Sequence, residues 1–242
     1  MERVPSEPFS PLTEEEEAEV RQALSSNQRK VLVNHKKSGI EITGETLLCL
    51  RPGRWLNDEV INLYLELLKE REKRDPQKFF KCHFFSTFFY EKLISCEIGY
   101  DYEAVRRWTT HKRLGYSLID CDKIFVPIHQ GEHWCLAIIN KKDEKFQYLD
   151  SLGQTDLQVL NRLTKYIEDE VKDKCGKDID VCLWEREYVS DLPAQENRFD
   201  CGMFMIKYAD FYSRRWKLFF NQKHMTYFRQ RTAKEILRLR AD

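Results

Sequence analysis

The chain has 242 residues, enough for one large domain or two small ones with a full core. Apolar residues make up 42% of it and charged residues 33%, a globular rather than a disordered balance. The 40 basic and 40 acidic residues cancel, so net charge gives no reason to expect nucleic acid or an anionic membrane as a partner.

No apolar run approaches the roughly 18 residues of a membrane span, so no membrane insertion is expected. Met1-Glu2-Arg3-Val4-Pro5 lacks the apolar stretch of a secretory signal. A reducing compartment, the nucleus with the cytoplasm as a second site, is therefore expected. Seven of the eight cysteines (Cys49, Cys82, Cys96, Cys121, Cys135, Cys175 and Cys182) are scattered among apolar neighbours with no C-x-x-C pair. They read as small buried hydrophobes rather than zinc ligands or disulfide partners. Cys201 stands apart by its context.

Residues 1–12 read as an extended lead-in. Thr13-Glu14-Glu15-Glu16 has the form of a capping box and predicts a helix to about Ser25. Residues 30–34 and 40–43 predict two short strands around the turn Lys36-Lys37-Ser38-Gly39. After the break Arg51-Pro52-Gly53, Asn57 caps a helix whose apolar positions Val60, Ile61, Tyr64, Leu67 and Leu68 recur at helical spacing. The aromatic-rich stretch 79–93 reads mainly as core, and 104–108 as a short helix. Residues 124–128, 134–139 and 146–149 are strand-length apolar runs, the last two joined by a polar hairpin turn at 140–144. Helical spacing returns over 157–171, a strand is expected over 181–189, and helices over 201–212 and 225–239. Together these predict an α+β domain, a mostly antiparallel sheet flanked by helices. The boundaries are a 1–29 extension with its helix and a catalytic domain over 30–242.

Three segments carry reactive side chains. If 134–139 and 146–149 pair, His133 before the first strand and Asp150 after the second lie side by side. Asp150 can then accept the Nδ1 proton of His133 and leave Nε2 free to take a proton. Cys201 opens a helix, where the dipole and unpaired N–H groups favour thiolate. A neighbouring imidazolium can lower such a thiol to roughly 3–4 from about 8.5. Gly202 leaves room for a substrate backbone, and Gln195 can offer its amide, with the Cys201 N–H, to a developing oxyanion. Taken singly, such a His is usually a surface residue, such an Asp a turn former and such a Cys core. Taken together they give every member of a cysteine protease site a role. No metal or cofactor is called for. The order His, Asp, Gln, Cys differs from papain, whose Cys comes first.

The sequence resembles the ubiquitin-like-protein-specific proteases in their SUMO-deconjugating (sentrin-specific) branch, with wording near Met205-Ile206-Lys207-Tyr208 nearest to plant members. The blocks that carry this include Trp55-Leu56-Asn57-Asp58-Glu59-Val60-Ile61-Asn62, His83-Phe84-Phe85-Ser86-Thr87-Phe88-Phe89 and Val105-Arg106-Arg107-Trp108-Thr109. Further blocks are Val126-Pro127-Ile128-His129, His133-Trp134-Cys135-Leu136-Ala137, Tyr148-Leu149-Asp150-Ser151-Leu152-Gly153 and Asp200-Cys201-Gly202-Met203-Phe204. The resemblance implies a papain-like architecture in permuted order, a triad of His133, Asp150 and Cys201, and Gln195 at the oxyanion hole. It implies that Trp55 and Trp134 form a narrow tunnel over the modifier's diglycine tail, and that Asp58, Phe88, Arg107 and His129 contact the modifier or line the entrance. A monomer acting on SUMO and SUMO-conjugated proteins is the expectation. A protease for NEDD8, an acetyltransferase on the same fold, or an inactive SUMO-binding module are the rivals. Arg198 stands where family members often have glycine, and an upstream targeting region is expected outside this chain.

Overall fold

The computed structural model describes residues 9–95, 99–214 and 216–242. Helix α1 (Glu14–Leu24) opens with the expected capping box, Thr13 and Glu16 bonding each other's backbone. Strands β1 (Val31–His35) and β2 (Ile40–Thr43) form an antiparallel hairpin. A single turn, α2 (Gly44–Leu47), leads to α3 (Asp58–Arg74), which is capped by the Asn57 side chain on the Val60 N–H. Then come β3 (Cys82–Phe84), α4 (Phe88–Leu93), β4 (Ile94–Ser95), β5 (Gly99–Tyr100) and the short α5 (His111–Leu114). The central strands are β6 (Lys123–Gln130), β7 (His133–Asn140) and β8 (Lys145–Leu149). After them stand α6 (Leu157–Cys175), β9 (Glu185–Tyr188), α7 (Cys201–Ser213) and α8 (Met225–Leu237).

The main sheet has the order β3-β6-β7-β8-β9. Its long central pairings are antiparallel, and the short edge strands β3 and β9 join in parallel. Both faces are covered, which is why β6 reads as an unbroken apolar run rather than an alternating one. Alternation decides the face instead. Trp134, Leu136 and Ile138 pack toward α3, α7 and α8, whereas Cys135, Ala137 and Ile139 pack toward α4 and α6. Pro127 fits because β3 pairs with β6 only as far as Phe125, so no ladder bond is demanded on that side.

Several expectations shift in extent. The 104–108 stretch is a set of tight turns, with Val105 and Arg106 N–H groups both donating to the Tyr102 carbonyl. Helix α6 runs past the last apolar position to Cys175 and stops where Gly176 turns left-handed, at φ 63°. Strand β9 is confined to four residues because 181–184 close a turn through Trp184 N–H on Val181 O. Cys175 and Cys182 are exposed rather than core, and Cys96 lies outside the described residues. The segment around α1 packs against α8, with Val20 and Ala23 inside the same core and Arg238 paired with Glu16 and Glu19.

Beneath α7 lies a buried charge cluster. Asp210 accepts from Arg71 at 2.7 Å and Arg214 at 2.9 Å, and Lys207 stands 3.6 Å away. Lys207 also donates to Tyr64 Oη at 2.6 Å, and burial pushes its ammonium down to about 8. Burial opposes ionisation of Asp210, yet Arg214, Arg71 and Lys207 outweigh it and hold the carboxyl well below the usual range. A carboxyl depressed in the fold contributes stability above its unfolded value, and that contribution is lost as pH falls through the folded one. Asp210→Ala would leave the three cations without their shared anion. Urea unfolding near neutral pH should show a loss of about 3–5 kcal/mol, and an unchanged midpoint would contradict the cluster's role.

Candidate active site

The β7–β8 hairpin holds two of the reactive residues. His133 is the first residue of β7 rather than its predecessor, and Asp150 follows β8 directly. Continuing the register beyond Leu136↔Leu149 sets Asp150 opposite Cys135, with His133 one pleat further along. The imidazole must therefore reach back diagonally. It does so with Nε2, which lies 3.0 Å from both Asp150 oxygens. This corrects the expected nitrogen assignment: Nε2 faces the carboxylate, and Nδ1 is left for the nucleophile.

Asp150 is further fixed by the Leu152 N–H, donating to Oδ1 at 2.6 Å, and by the Cys135 thiol, donating to Oδ2 at 3.2 Å. The Asp150 side chain is 1% exposed and that of His133 17%. Asp150, with the thiols of Cys135 and Cys201 adding to it, holds the imidazolium far above its ordinary value. Burial works against Asp150 ionisation, but His133 and the Leu152 N–H bring its carboxyl below the usual range. Burial pushes the Cys135 thiol up, so it serves as a donor. His133 and Asp150 are thus within hydrogen-bond distance, and the Cys201 thiol lies close enough to the imidazole to add to its rise.

Cys201 is buried and begins α7. Asp200 precedes it in the N-cap place but makes no side-chain cap. Its Oδ1 instead receives Arg229 of α8, at 2.9 Å from Nε and 2.6 Å from Nη2. Its Oδ2 receives Asn197 and Gln222, each at 2.7 Å. Arg229 also donates to the carbonyls of Cys49, Arg51, Arg54 and Phe199. One buried guanidinium therefore ties the loop before α3 to the loop before Cys201.

Trp55 sits on that first loop, 47% exposed, and donates from Nε1 to the Arg198 carbonyl at 2.7 Å. Arg198 takes no positive φ, so glycine is not required there. Trp134 is buried and stacks on its register partner His129, with ring centroids 4.2 Å apart. A Cβ on Gly202 would meet Leu56 at 3.0 Å and Trp134 at 3.3 Å. The glycine therefore serves close packing between the two tryptophan-bearing segments, which corrects the expectation that it leaves space for substrate. Gln195 is buried; Ser151 Oγ donates to its Oε1 at 2.6 Å, and its Nε2 donates to the Asn197 carbonyl at 2.6 Å. That leaves one amide hydrogen for a further acceptor.

The remaining predicted contacts lie on the surface. Asp58 is half-buried at the start of α3 and His129 is exposed beside Trp134. Phe88, 49% exposed, borders a groove with Asn62, Phe84 and Trp108. Arg107 lines a separate depression with Glu103 and Lys174. Among the described residues, neither Phe88 nor Arg107 shares a hydrogen bond with the triad. Two residues were given no site role from the sequence. Cys135 is two positions from His133 on the same strand, so the period-2 rule could have placed it beside Asp150. Arg229 had no comparable signal.

Residues 54–241 match the Ulp1 protease family, C-terminal catalytic domain. The chain belongs to the Ulp1 protease family. Ubiquitin-like-specific protease ESD4 of Arabidopsis thaliana is 63% identical over 240 residues, covering 99% of this chain and 49% of the relative. Ubiquitin-like-specific protease 1A of the same plant is 60% identical over 242 residues, covering 100% of this chain and 48% of the relative. Sentrin-specific protease 2 of Homo sapiens is 40% identical over 229 residues, 93% of this chain and 37% of the relative. The chain thus spans about half the length of the two plant relatives. The solved C-terminal Ulp1 protease domain, in complex with Smt3, the yeast ortholog of SUMO, superposes with TM-score 0.78 at 30% identity. That likeness covers 95% of this chain and 96% of the other. The α+β, papain-like architecture is therefore the Ulp1 fold.

Because Arg229 ties the loop before α3 to the loop before Cys201, Arg229→Lys should keep the charge but lose the planar fork. Thiol labelling of Cys201 with a ubiquitin-like vinyl-sulfone probe should slow at least tenfold in a protein that still melts cooperatively. Wild-type labelling rates would contradict the clamp.

Proposed function

We propose that this chain is a cysteine protease that cleaves after the C-terminal diglycine of SUMO, maturing precursors and releasing SUMO from lysines of conjugated proteins. The observation that carries this is Asp150 held 3.0 Å from His133 Nε2 with Cys201 opening α7 beside the imidazole. In one solved Ulp1 protease domain the bound partner is Smt3, the yeast ortholog of SUMO. A nuclear setting with a cytoplasmic share, and action as a monomer, belong to the same proposal. Among the described residues, no helix is long and apolar enough to cross a membrane.

In the proposed reaction the Cys201 thiolate attacks the carbonyl carbon of the modifier's terminal glycine. The helix-start N–H and the remaining Gln195 amide hydrogen stabilise the oxyanion. Collapse breaks the C–N bond, and imidazolium Nδ1–H protonates the departing amine. His133 then takes a proton from water as that water attacks the thioester, and the carboxylate and the Cys201 thiolate are released. Asp150 holds the imidazole by its far nitrogen throughout. Trp55 and Trp134 close over a tail without side chains, which excludes bulkier C-termini.

The decisive assay offers SUMO, NEDD8 and ubiquitin C-terminal fluorogenic substrates to the chain and to Cys201→Ser. SUMO should be turned over fastest, and Cys201→Ser should lose at least a thousandfold. A preference for NEDD8 overturns the substrate assignment; no turnover of any substrate would indicate a binding module.

The pH dependence follows from the shifts. Stability from the raised His133 value is complete below the unfolded imidazole value of 6.5 and is lost as pH rises through the folded one. Stability from the lowered Asp150 value is present above 3.8 and is lost as pH falls through its folded value. Both contributions are therefore whole between those two unfolded values. Asp150→Asn removes the largest cause of the His133 rise. The alkaline limb of kcat/KM should move to lower pH, and kcat should fall by about two to four powers of ten. A limb that stays in place would disprove the coupling.

A further inference from the structure

Cys135 has surroundings that apolar packing does not explain. Its sulfur lies 3.2 Å from Asp150 Oδ2, and that carboxylate lies 3.0 Å from His133 Nε2. One ligand atom from each of the three residues falls within 4.8 Å of the others. Among the described residues this is the one such group of histidine, cysteine and carboxylate side chains.

We infer that Zn²⁺ binds reversibly to His133 Nε2, Cys135 Sγ and an Asp150 oxygen, acting as an inhibitor of the catalytic imidazole rather than as a cofactor. The inhibitory half of this rests on the protease function proposed above; the binding half does not.

The donor set selects the metal. Nitrogen, thiolate sulfur and one carboxylate oxygen suit zinc, whereas magnesium and calcium favour all-oxygen sites. Tetrahedral zinc with bonds of about 2.0–2.3 Å places its donor atoms roughly 3.3–3.7 Å apart. The observed 3.0 and 3.2 Å spacings to Asp150 need to open by only a few tenths of an ångström, and the third spacing, from the His133 nitrogen to the Cys135 sulfur and within 4.8 Å, settles at about 3.6 Å by rotation of the two side chains. Charge also closes: one thiolate and one carboxylate neutralise the divalent ion, so the buried complex carries no net charge. The protons displaced from the Cys135 thiol and from the His133–Asp150 hydrogen bond pass to solvent. The Leu152 N–H on Asp150 Oδ1 holds the other carboxylate oxygen, an outer-shell contact of the kind that orients metal ligands.

Entry is from the His133 side, whose side chain is 17% exposed, and water fills the fourth position. Once bound, the ion takes the nitrogen that Asp150 uses and leaves a neutral imidazole whose one proton stays on Nδ1, a far weaker acid than imidazolium and unable to accept a proton from Cys201 or water. Cys201 is not a ligand, which separates this site from zinc capture by the nucleophile itself.

The test uses Cys201→Ser, which keeps the three ligands and removes the nucleophile. Calorimetric titration should show one Zn²⁺ bound to a site lost in Cys201→Ser/Cys135→Ala, and Co²⁺ in its place should give a thiolate-to-cobalt charge-transfer band that the second change abolishes. Cys135→Ser, which still donates to Asp150, should weaken zinc at least tenfold while melting like its parent. In the active chain, zinc should block turnover, chelator should restore it, and Cys135→Ser should raise the inhibitory concentration at least tenfold. Equal zinc affinity with and without Cys135, or loss of binding in Cys201→Ser alone, would overturn the site and place zinc on the nucleophile or on exposed Cys175 and Cys182. Because binding is read without turnover, failure of the site and failure of the protease proposal give different results.

Discussion

The site depends on one buried guanidinium. Arg229 reaches from α8 to Asp200 Oδ1 and to four backbone carbonyls, of which the Cys49 carbonyl is buried with it. Its planar fork of donors matches a set of acceptors spread over two loops, which a lysine's point charge could not do. The consequence reaches the chemistry. Because Asp200 is committed to Arg229, Asn197 and Gln222, its side chain does not cap α7. The first N–H groups of that helix then stay available to a thiolate or an oxyanion, where an ordinary capping aspartate would have taken one.

A second constraint is the offset of the hairpin. Asp150 stands opposite Cys135 and diagonal to His133, so the imidazole is stretched toward the carboxylate by its distal nitrogen. The proximal nitrogen is thereby turned toward α7. The same offset brings a thiol onto Asp150 without any further device, since Cys135 merely follows the strand's period. A burial that would raise an isolated aspartic acid is overcome because the carboxylate receives three donors. The orientation and the charge of the imidazole come from one arrangement.

Much of this was legible in the sequence. The capping box at Thr13, the Asn57 cap, the 140–144 turn and the helix opening at Cys201 all rest on local chemistry, and local chemistry survives folding. The pairing of His133 with Asp150 needed only a hairpin. What was not legible depends on distance along the chain. Arg229 meets Arg54 across 175 residues, and no local pattern marks that. The nitrogen assignment failed because it required the register and not merely the pairing. Gly202 was misjudged since its neighbours, Leu56 and Trp134, come from two other elements. The 104–108 stretch does not become a helix because five residues cannot outweigh side-chain and turn bonds such as Ala104 N–H on Asp101.

Selectivity and reactivity are physically joined in this arrangement. The proposed tunnel walls, Trp55 and Trp134, are not appended to a finished catalytic centre. Trp134 is the residue after His133 on β7 and lies against Gly202, the residue after Cys201. Trp55 is bonded to the Arg198 carbonyl, three residues before Cys201, and its neighbour Leu56 also closes on Gly202. Displacing either indole therefore moves the backbone that presents the nucleophile. A tail too wide for the gap would not simply bind poorly; it would force apart the contacts that keep Cys201 and His133 in place. Under the proposed function, discrimination against side chains in the substrate tail would then act on the chemical step as well as on binding, which is where an enzyme gains most from it.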